Sequence, residues 1–560
     1  MAKPKTRVRL CASFAILLSI AIIVTCIFVF TSRRCSERDF KHAAVAADSE
    51  TCSKVGRDIM QIGGSAVDGA IAALLCTSLV NPQSMGLGGG SIFTVRQKTG
   101  KVKVINSRET VPKEFKPDLM KKCSSSVQLS TGNQWIGVPG EIRGYELAHK
   151  LYGKLPWADL FQPSIKLARE GVPMSPILSR VLQQKKQICA EGSLLQELFC
   201  HKNKTAKKIG EKTRFLKLAE TMEIIAKQGP DTFYTGDIAR SLIQDVQEAG
   251  GNLTLEDLKL FKAQVTDAWN ISLGDYTMHF PPPPAGGAIV AFILNVMKGY
   301  HLNPVSMEGD KKKLTYHHYV EAYKFANGLR KYTRDPKFNF NMGESRLITE
   351  ELAEQVRGMI SSDQTHNSSY YNLTASLDSH GTTHVSVLDA DGMAVSVTST
   401  INYMFGSKVW SPNTGIILNN QLTDFCKKAD HISVGEQPPS SMSPAVLFSK
   451  STQNMLVIGG SGGSMITTGV ALAIMNYLWL GKNLEDAISA PVVFVDAKNA
   501  LKFEPNFDQT VVEALKTVGH NVEDAKIFYN VVNAVVKIKK KAGCISAVSD
   551  ARKIGKAAGY

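Results

Sequence analysis

Two short stretches carry residue types that could form a nucleophile. The first is Gly381-Thr382-Thr383-His384. A threonine hydroxyl is a weak nucleophile until a base takes its proton, and a free N-terminal α-amine, with a reference pKa near ~8, can be that base within the same residue. This chemistry requires Thr382 to become a chain terminus. Gly381 leaves its carbonyl sterically open, so the Thr382 hydroxyl could attack it and cut the chain by an N-to-O acyl shift. From spacing alone an ordinary strand start accounts for the same residues, because Gly-Thr pairs are common. The second stretch is Gly459-Gly460-Ser461-Gly462-Gly463, which matches the G-x-S-x-G elbow of a serine hydrolase. A triad would then need an Asp and a His downstream, and His520 alone remains, with little sheet left to mount it. A strand ending in glycines can instead aim backbone N–H groups at an anion and form an oxyanion hole without a side chain.

Thr382-Thr383-His384-Val385-Ser386-Val387 alternates with period two, Asp391-Gly392 supplies a turn, and residues 393–400 alternate again, which predicts a β-hairpin. Residues 456–458 read as a strand, 459–463 as a turn and 466–480 as a helix. A last hairpin pairs 528–539 with 544–549. Towards the N-terminus, 49–63 and 65–80 read as helices, with Ser65 and Asp68 spaced as a capping box. The second of these is apolar almost all round and belongs in an interior. The glycine turn Met85-Gly86-Leu87-Gly88-Gly89-Gly90 then leads into strands at 92–96 and 102–107. Between 135 and 375, helices such as 216–227 and 316–329 alternate with turns. The tract Pro281 to Gly287 reads as a lead-in to a helix at 288–297.

The 560 residues are 44% hydrophobic and 21% charged, proportions of a globular protein that exclude disordered, collagen-like and coiled-coil classes. The net charge of +15 is spread out, and the basic clusters at 3–9, 311–313 and 537–541 lack the aromatic interleaving of a nucleic-acid reader. Residues 10–30 carry no charge and are long enough, at ~1.5 Å per residue, to cross a ~30 Å hydrocarbon core. Lys3, Lys5, Arg7 and Arg9 precede this run, so it is expected to be a type II signal anchor: 1–9 cytoplasmic, 10–30 transmembrane, the body extracellular. The acceptor triplets at Asn203, Asn252, Asn270, Asn367 and Asn372 agree with that compartment. Outside the run lie eight cysteines, with no C-x-x-C metal knuckle. The preferred bridges are Cys52 with Cys76 and Cys189 with Cys200.

The chain resembles the γ-glutamyltransferase family of N-terminal-nucleophile hydrolases. The resemblance is carried by Ala44-Val45-Ala46-Ala47-Asp48, Met85 to Gly90, Ser107-Arg108-Glu109-Thr110, Val138-Pro139-Gly140-Glu141 and Phe161-Gln162-Pro163-Ser164. It continues, in order, through Thr383 to Val387, Thr398-Ser399-Thr400-Ile401-Asn402, Phe405-Gly406-Ser407, Asn419-Asn420, Ser440-Ser441-Met442 and Ser549-Asp550-Ala551-Arg552-Lys553. Val80 to Ser84, Phe233-Tyr234-Thr235-Gly236, the Pro281 to Gly287 tract and Glu504-Pro505-Asn506-Phe507 look closest to the vertebrate leukotriene-processing branch.

The resemblance implies an α+β fold, the αββα sandwich, and a precursor that cuts itself between Gly381 and Thr382. The large subunit would span 31–381 and the small catalytic one 382–560, held together as a heterodimer. It further implies Thr382 as nucleophile and, through its new amine, general base; Thr400 as the supporting hydroxyl; and Gly462 and Gly463 as the oxyanion hole, which reassigns the apparent serine elbow. Arg108, Ser440 and Ser441 would hold the donor's α-carboxylate, and Asn402, Gln421 and Asp424 its α-ammonium. Implied substrates are glutathione, its S-conjugates and leukotriene C4, giving leukotriene D4, with amino-acid or dipeptide acceptors. No metal or organic cofactor is needed, because the α-amine supplies the base and backbone amides the electrophile.

The chain departs from the pattern at Gln421, where many animal members have Glu, at Thr423, where they have Asp, and at Tyr403-Met404 beside the site. Gln421 brings no charge to an ammonium, so Asp424 is expected to carry that recognition alone. The competing readings are a catalytically silent surface binding protein of the same fold and a serine esterase using Ser461.

Overall fold

The computed structural model describes residue 35 and residues 39–123, 132–339, 344–373, 381–524, 530–539 and 543–560. The expected anchor at 10–30 lies outside these residues, as does the stretch just before Gly381. Among the described residues no helix is long and apolar enough to cross a membrane.

Two antiparallel sheets face each other. The first has seven strands in the order Ala558–Gly559, Ala44–Ala46, Thr383–Leu388, Ala394–Thr400, Gly90–Arg96, Val102–Asn106, Gln264–Asp267. The second has six: Cys544–Val548, Val531–Ile538, Met455–Ser461, Ala445–Ser449, Tyr276–Phe280, Trp269–Leu273. Because side chains alternate along a strand, each central strand serves two cores. Val385, Val387, Val395 and Val397 pack outward against the helix Ala66–Val80. Leu456, Ile458, Val532 and Ala534 pack outward against the helices Gly287–Lys298, Gly309–Leu329 and Ile466–Leu478. Between the sheets, Ala44, Leu388, Ala394, Val446, Val457 and Val535 form a thin apolar layer. The architecture is therefore helix, sheet, sheet, helix.

Towards one end the inter-sheet layer turns polar. Ser386 Oγ donates to the Asn533 carbonyl at 3.1 Å, Ser396 Oγ to the Ile458 carbonyl at 2.9 Å and Thr94 Oγ1 to the Pro444 carbonyl at 2.8 Å. Each bond uses a spare lone pair of a buried carbonyl, so short hydroxyl side chains fasten one sheet to the other without stranding a polar group.

The hairpin forms as the alternation predicts, with Ser399 opposite Thr383 and Thr398 opposite His384. The capping box also forms: the Ser65 amide donates to Asp68 at 2.8 Å and the Asp68 amide to Ser65 Oγ at 3.1 Å. Two expectations need correction. Gly459 and Gly460 are not turn residues but continue the strand through Ser461. Gly459 is glycine because the facing hairpin comes close, a Cβ there lying 2.3 Å from the His384 ring, whereas a Cβ on Gly460 would lie 2.7 Å from the Val531 carbonyl oxygen of the adjacent strand. The helix expected at 316–329 begins at Gly309, and the basic cluster 311–313 forms its first turns, where Lys312 pairs with Asp508 at 2.6 Å. Hydrophobic periodicity misses these turns because they have no apolar face.

The bridges Cys52–Cys76 and Cys189–Cys200 are both present. Two more, Cys35–Cys544 and Cys123–Cys426, join positions 509 and 303 residues apart. Sequence spacing cannot disclose these, because their partners meet only when the C-terminal hairpin and the segment around 426 dock on the N-terminal part.

Candidate active site

Thr382 stands at the polar end of the inter-sheet layer, one residue before the first strand of the hairpin begins. It is buried and has φ of 114°, a left-handed conformation that costs a β-branched residue on the order of 1–3 kcal/mol. Its hydroxyl donates to Thr400 Oγ1 at 3.3 Å, and the Asn402 amide donates to the same oxygen at 2.8 Å. Thr400 thereby orients the Thr382 hydroxyl. Gly381 precedes it where no other residue fits, since a Cβ there would lie 1.8 Å from the Asn402 carbonyl oxygen.

Arg108 follows the strand Val102–Asn106 and is buried. Its Nε–H donates to the Pro438 carbonyl at 2.8 Å, and Nη2 to Asp424 Oδ2 at 2.6 Å and the Pro439 carbonyl at 3.2 Å. Nη1 has no hydrogen-bond partner. A guanidinium fixed on two nitrogens, with the third making no hydrogen bond and only a loose ion contact to Glu109 Oε2 at 3.9 Å, is prepared for a planar anion. The segment that supplies both prolines continues into Ser440 and Ser441. The Ser440 amide donates to the Pro284 carbonyl at 2.7 Å, so the proline-rich tract 281–284 positions this segment. Ser441 Oγ accepts from Arg330 Nη1 at 2.8 Å, and Arg330 Nη2 also reaches Thr467 Oγ1 at 2.6 Å and the Ser464 carbonyl at 3.2 Å.

Asp424 lies on the short 3₁₀ helix Gln421–Phe425. Gln421 Nε2 donates to Asp424 Oδ2 at 2.7 Å, while Gln421 Oε1 is buried without a partner. Asn402 Nδ2 donates to Thr423 Oγ1 at 2.8 Å and to the Asn420 carbonyl at 3.2 Å, which leaves the Asn402 side-chain oxygen Oδ1 as an acceptor. Two of the three departures noted in the sequence, Thr423 and Gln421, thus have work here. Thr423 holds Asn402, and Gln421 donates to Asp424, which a carboxylate could not do.

Gly462 and Gly463 close the strand Met455–Ser461 with φ of 125° and 63° and turn it into the helix Ile466–Leu478. The elbow reading of Ser461 meets a different geometry: its hydroxyl accepts from the Lys553 ammonium at 2.8 Å. His520 is engaged elsewhere, behind the second sheet, with His317 Nδ1 at 2.9 Å and Lys324 Nζ at 2.9 Å. His317, Glu321 and His520 place donor atoms within 4.8 Å of one another, as a metal site would. Here the two histidines form a hydrogen-bonded chain, in which Lys324 donates to His520, His520 to His317, and His317 to the Ser361 carbonyl at 2.8 Å, while Glu321 accepts from Tyr371 at 2.6 Å and Thr365 at 2.7 Å.

Burial sets the protonation of several neighbours. His384, between Thr398 and Ser386 at 2.9 Å each, is pushed down to about 3 by burial and by the Lys553 charge, and is neutral. Glu109 is pushed up to about 8 by burial, against the pull of Arg108, and Glu141, which accepts from Ser399, up to about 7 by burial. Sequence reasoning assigned no role to Asp48, Lys553 or Arg330. The first two stand in stretches that carry the family resemblance, which was the available signal; Arg330 had none.

Comparisons with known proteins give the family and the fold. The family model described as gamma-glutamyltranspeptidase matches residues 52–560. The chain is 46% identical over 560 residues to a rat protein named glutathione hydrolase 5 proenzyme, with 97% of each chain covered. It is 45% identical over 555 residues to the human protein of that name, with 94% of each covered. In structure it resembles a cephalosporin acylase from Bacillus halodurans, with a TM-score of 0.83, 24% identity, and 94% of this chain and 97% of the other covered. The extent of the family match and the identity to these relatives place the chain in the γ-glutamyltranspeptidase family of enzymes.

Proposed function

We propose that the chain is a self-processing γ-glutamyl hydrolase and transpeptidase with Thr382 as its nucleophile. The observation that carries this reading is the buried Thr382 at φ 114°, its hydroxyl held by Thr400 directly after the one residue type that fits at 381. In the precursor, Thr382 Oγ attacks the Gly381 carbonyl carbon. The C–N bond breaks, an ester forms and the α-amine is released; water then hydrolyses the ester, leaving Gly381 as a carboxylate. Strain at the scissile residue is relieved in that step.

In the cut enzyme the α-amine takes the Oγ proton as Oγ attacks the donor's γ-carbonyl carbon. The amides of Gly462 and Gly463 receive the oxyanion. The leaving amine takes the proton, and the γ-glutamyl ester is resolved by water or by an acceptor amine. Arg108 Nη1, with Ser440 and Ser441, grips the α-carboxylate, and Asp424, Gln421 Oε1 and Asn402 Oδ1 receive the α-ammonium. The relatives' name, glutathione hydrolase, supports glutathione as donor. Resemblance to the leukotriene-processing branch supports glutathione S-conjugates and leukotriene C4, yielding leukotriene D4. The uncharged run at 10–30 and the four disulfides support a type II anchor with an extracellular body.

Thr382→Ala and Ser461→Ala, made separately, test the reading. Thr382→Ala should remain one chain of 61.0 kDa before glycosylation and release no γ-glutamyl product. Ser461→Ala should still be cut, and N-terminal sequencing of its smaller fragment should begin at Thr382. Cutting and turnover in Thr382→Ala would overturn the assignment, and their loss in a folded Ser461→Ala would favour the serine esterase.

A further inference from the structure

Lys553 lies directly beneath Thr382 with its side chain wholly buried. Its ammonium donates to the Thr382 carbonyl at 2.7 Å, to Ser461 Oγ at 2.8 Å and to Asp48 Oδ2 at 2.5 Å. Asp48 in turn accepts from Thr383 Oγ1 at 2.6 Å and from Asn533 Nδ2 at 2.7 Å. Burying an ion pair is expensive, and an apolar pair of the same volume commonly serves a fold as well. A charge held at this place therefore calls for a reason in the chemistry.

The amine and the carbonyl of Thr382 belong to one residue, so cleavage would leave the new α-amine within roughly 6 Å of Lys553 Nζ, given standard backbone dimensions. A cation that close, shielded from water, opposes a second positive charge. His384 on the same strand already feels this field, since Lys553 acts with burial to keep its ring neutral. We propose that Lys553 is the positioning cation of the nucleophile: it clamps the Thr382 backbone and keeps the α-amine of the cut enzyme in its proton-accepting form at neutral pH. The inference rests on the reading of Thr382 as an N-terminal nucleophile. It also gives the elbow serine a place, as an uncharged acceptor that helps aim the ammonium.

The other titratable groups around this pocket, among the described residues, are Asp48, which partly offsets the cation; His384, neutral; Glu141, behind the neighbouring strand through Ser399; and Asp550, which accepts from the Val532 amide and pairs with Arg552. Arg552 also pairs with Glu504 at 2.6 Å, so the C-terminal segment that delivers Lys553 is tied down on its outer side.

The test is the pH dependence of kcat/KM on a chromogenic γ-glutamyl anilide, measured on protein first shown by gel to be cut. The acidic limb of that profile reports the essential base of the free enzyme. Lys553→Met should move the limb upward by about one pH unit, the direction expected when a cation is removed from beside an amine. Lys553→Arg, which keeps the charge, should leave it within a few tenths. Lys553→Met with Asp48→Asn leaves no unpaired buried charge, guards against misfolding, and should still show an upward shift, smaller than in the single variant. Cut, active Lys553→Met with an unmoved limb and lower amplitude would overturn the proposal while leaving Thr382 as nucleophile. So would a limb that follows Glu141→Gln instead.

Discussion

Substituting Arg108 by lysine separates charge from geometry at the proposed carboxylate grip. The guanidinium has five N–H groups. One goes from Nε to Pro438, and the two on Nη2 go to Asp424 and Pro439, which leaves the Nη1 pair for the substrate. An ammonium has three. If it keeps Asp424 and one proline carbonyl, a single N–H faces the donor where two did before. The missing charge-assisted bond is worth about 1.5–3 kcal/mol. At ~1.4 kcal/mol per tenfold this is roughly a 10- to 140-fold loss in kcat/KM, falling on KM because the carboxylate is gripped alike in ground and transition states. The assay compares a γ-glutamyl anilide with its 4-aminobutanoyl counterpart, which keeps the ammonium and the reacting carbonyl but lacks the carboxylate. In Arg108→Lys the preference for the γ-glutamyl donor should narrow by that factor, with the 4-aminobutanoyl rate unchanged within a few-fold. Equal losses on both donors, in protein that is folded and cut, would show that Arg108 supports the loop and does not read the carboxylate.

Because Cys35–Cys544 and Cys123–Cys426 each bridge the Gly381–Thr382 junction, cut and deglycosylated protein should migrate without reductant as one species near 61.0 kDa. Reductant should resolve it into two bands, as should replacing all four cysteines by serine. Asn203, Asn270, Asn367 and Asn372 are exposed, whereas half-buried Asn252 donates its amide to the Glu114 carbonyl at 2.7 Å and Thr254 caps a helix through Asp257. Glycopeptide mapping should find glycan at the first four and none at Asn252.

What was legible in the sequence was local. Alternation over 383–400 predicted the hairpin because its two strands are neighbours in the chain, and Ser65 with Asp68 announced a helix start because the bonds span three residues. The family resemblance then singled out Thr382, Thr400, Arg108 and Asp424 as expected site residues, and the structure brings Thr382 to Thr400 and Arg108 to Asp424. What stayed hidden depends on distant contacts. Gly459 looked like a turn residue because its cause, the His384 ring, arrives from another strand. Lys553 stood in a family-like stretch with no role assigned to it, and its burial follows only when the C-terminal segment packs beside Asp48. Thr423 looked like a loss of charge, yet it is the hydroxyl that holds Asn402.

Three cations of the site, Arg108 and Lys553 buried and Arg330 half-buried, share a pattern that bears on how a chain can be cut at its centre and remain an enzyme. Arg108, before the junction, binds Asp424 after it. Arg330, before it, holds Ser441, Ser464 and Thr467 after it. Lys553, after it, is held by Asp48 before it. Each part of the proposed machinery, the carboxylate grip, the turn beside the oxyanion glycines and the nucleophile's carbonyl, is therefore assembled from both sides of Gly381–Thr382. Truncating one partner of a buried ion pair costs about 3–5 kcal/mol, so separating the two halves would leave both Arg108–Asp424 and Lys553–Asp48 uncompensated at once. Hydrolysis of one peptide bond releases no such contact. On the proposed mechanism, cleavage can free the Thr382 amine at its reactive position because the interactions that hold the site together do not run through the bond that breaks.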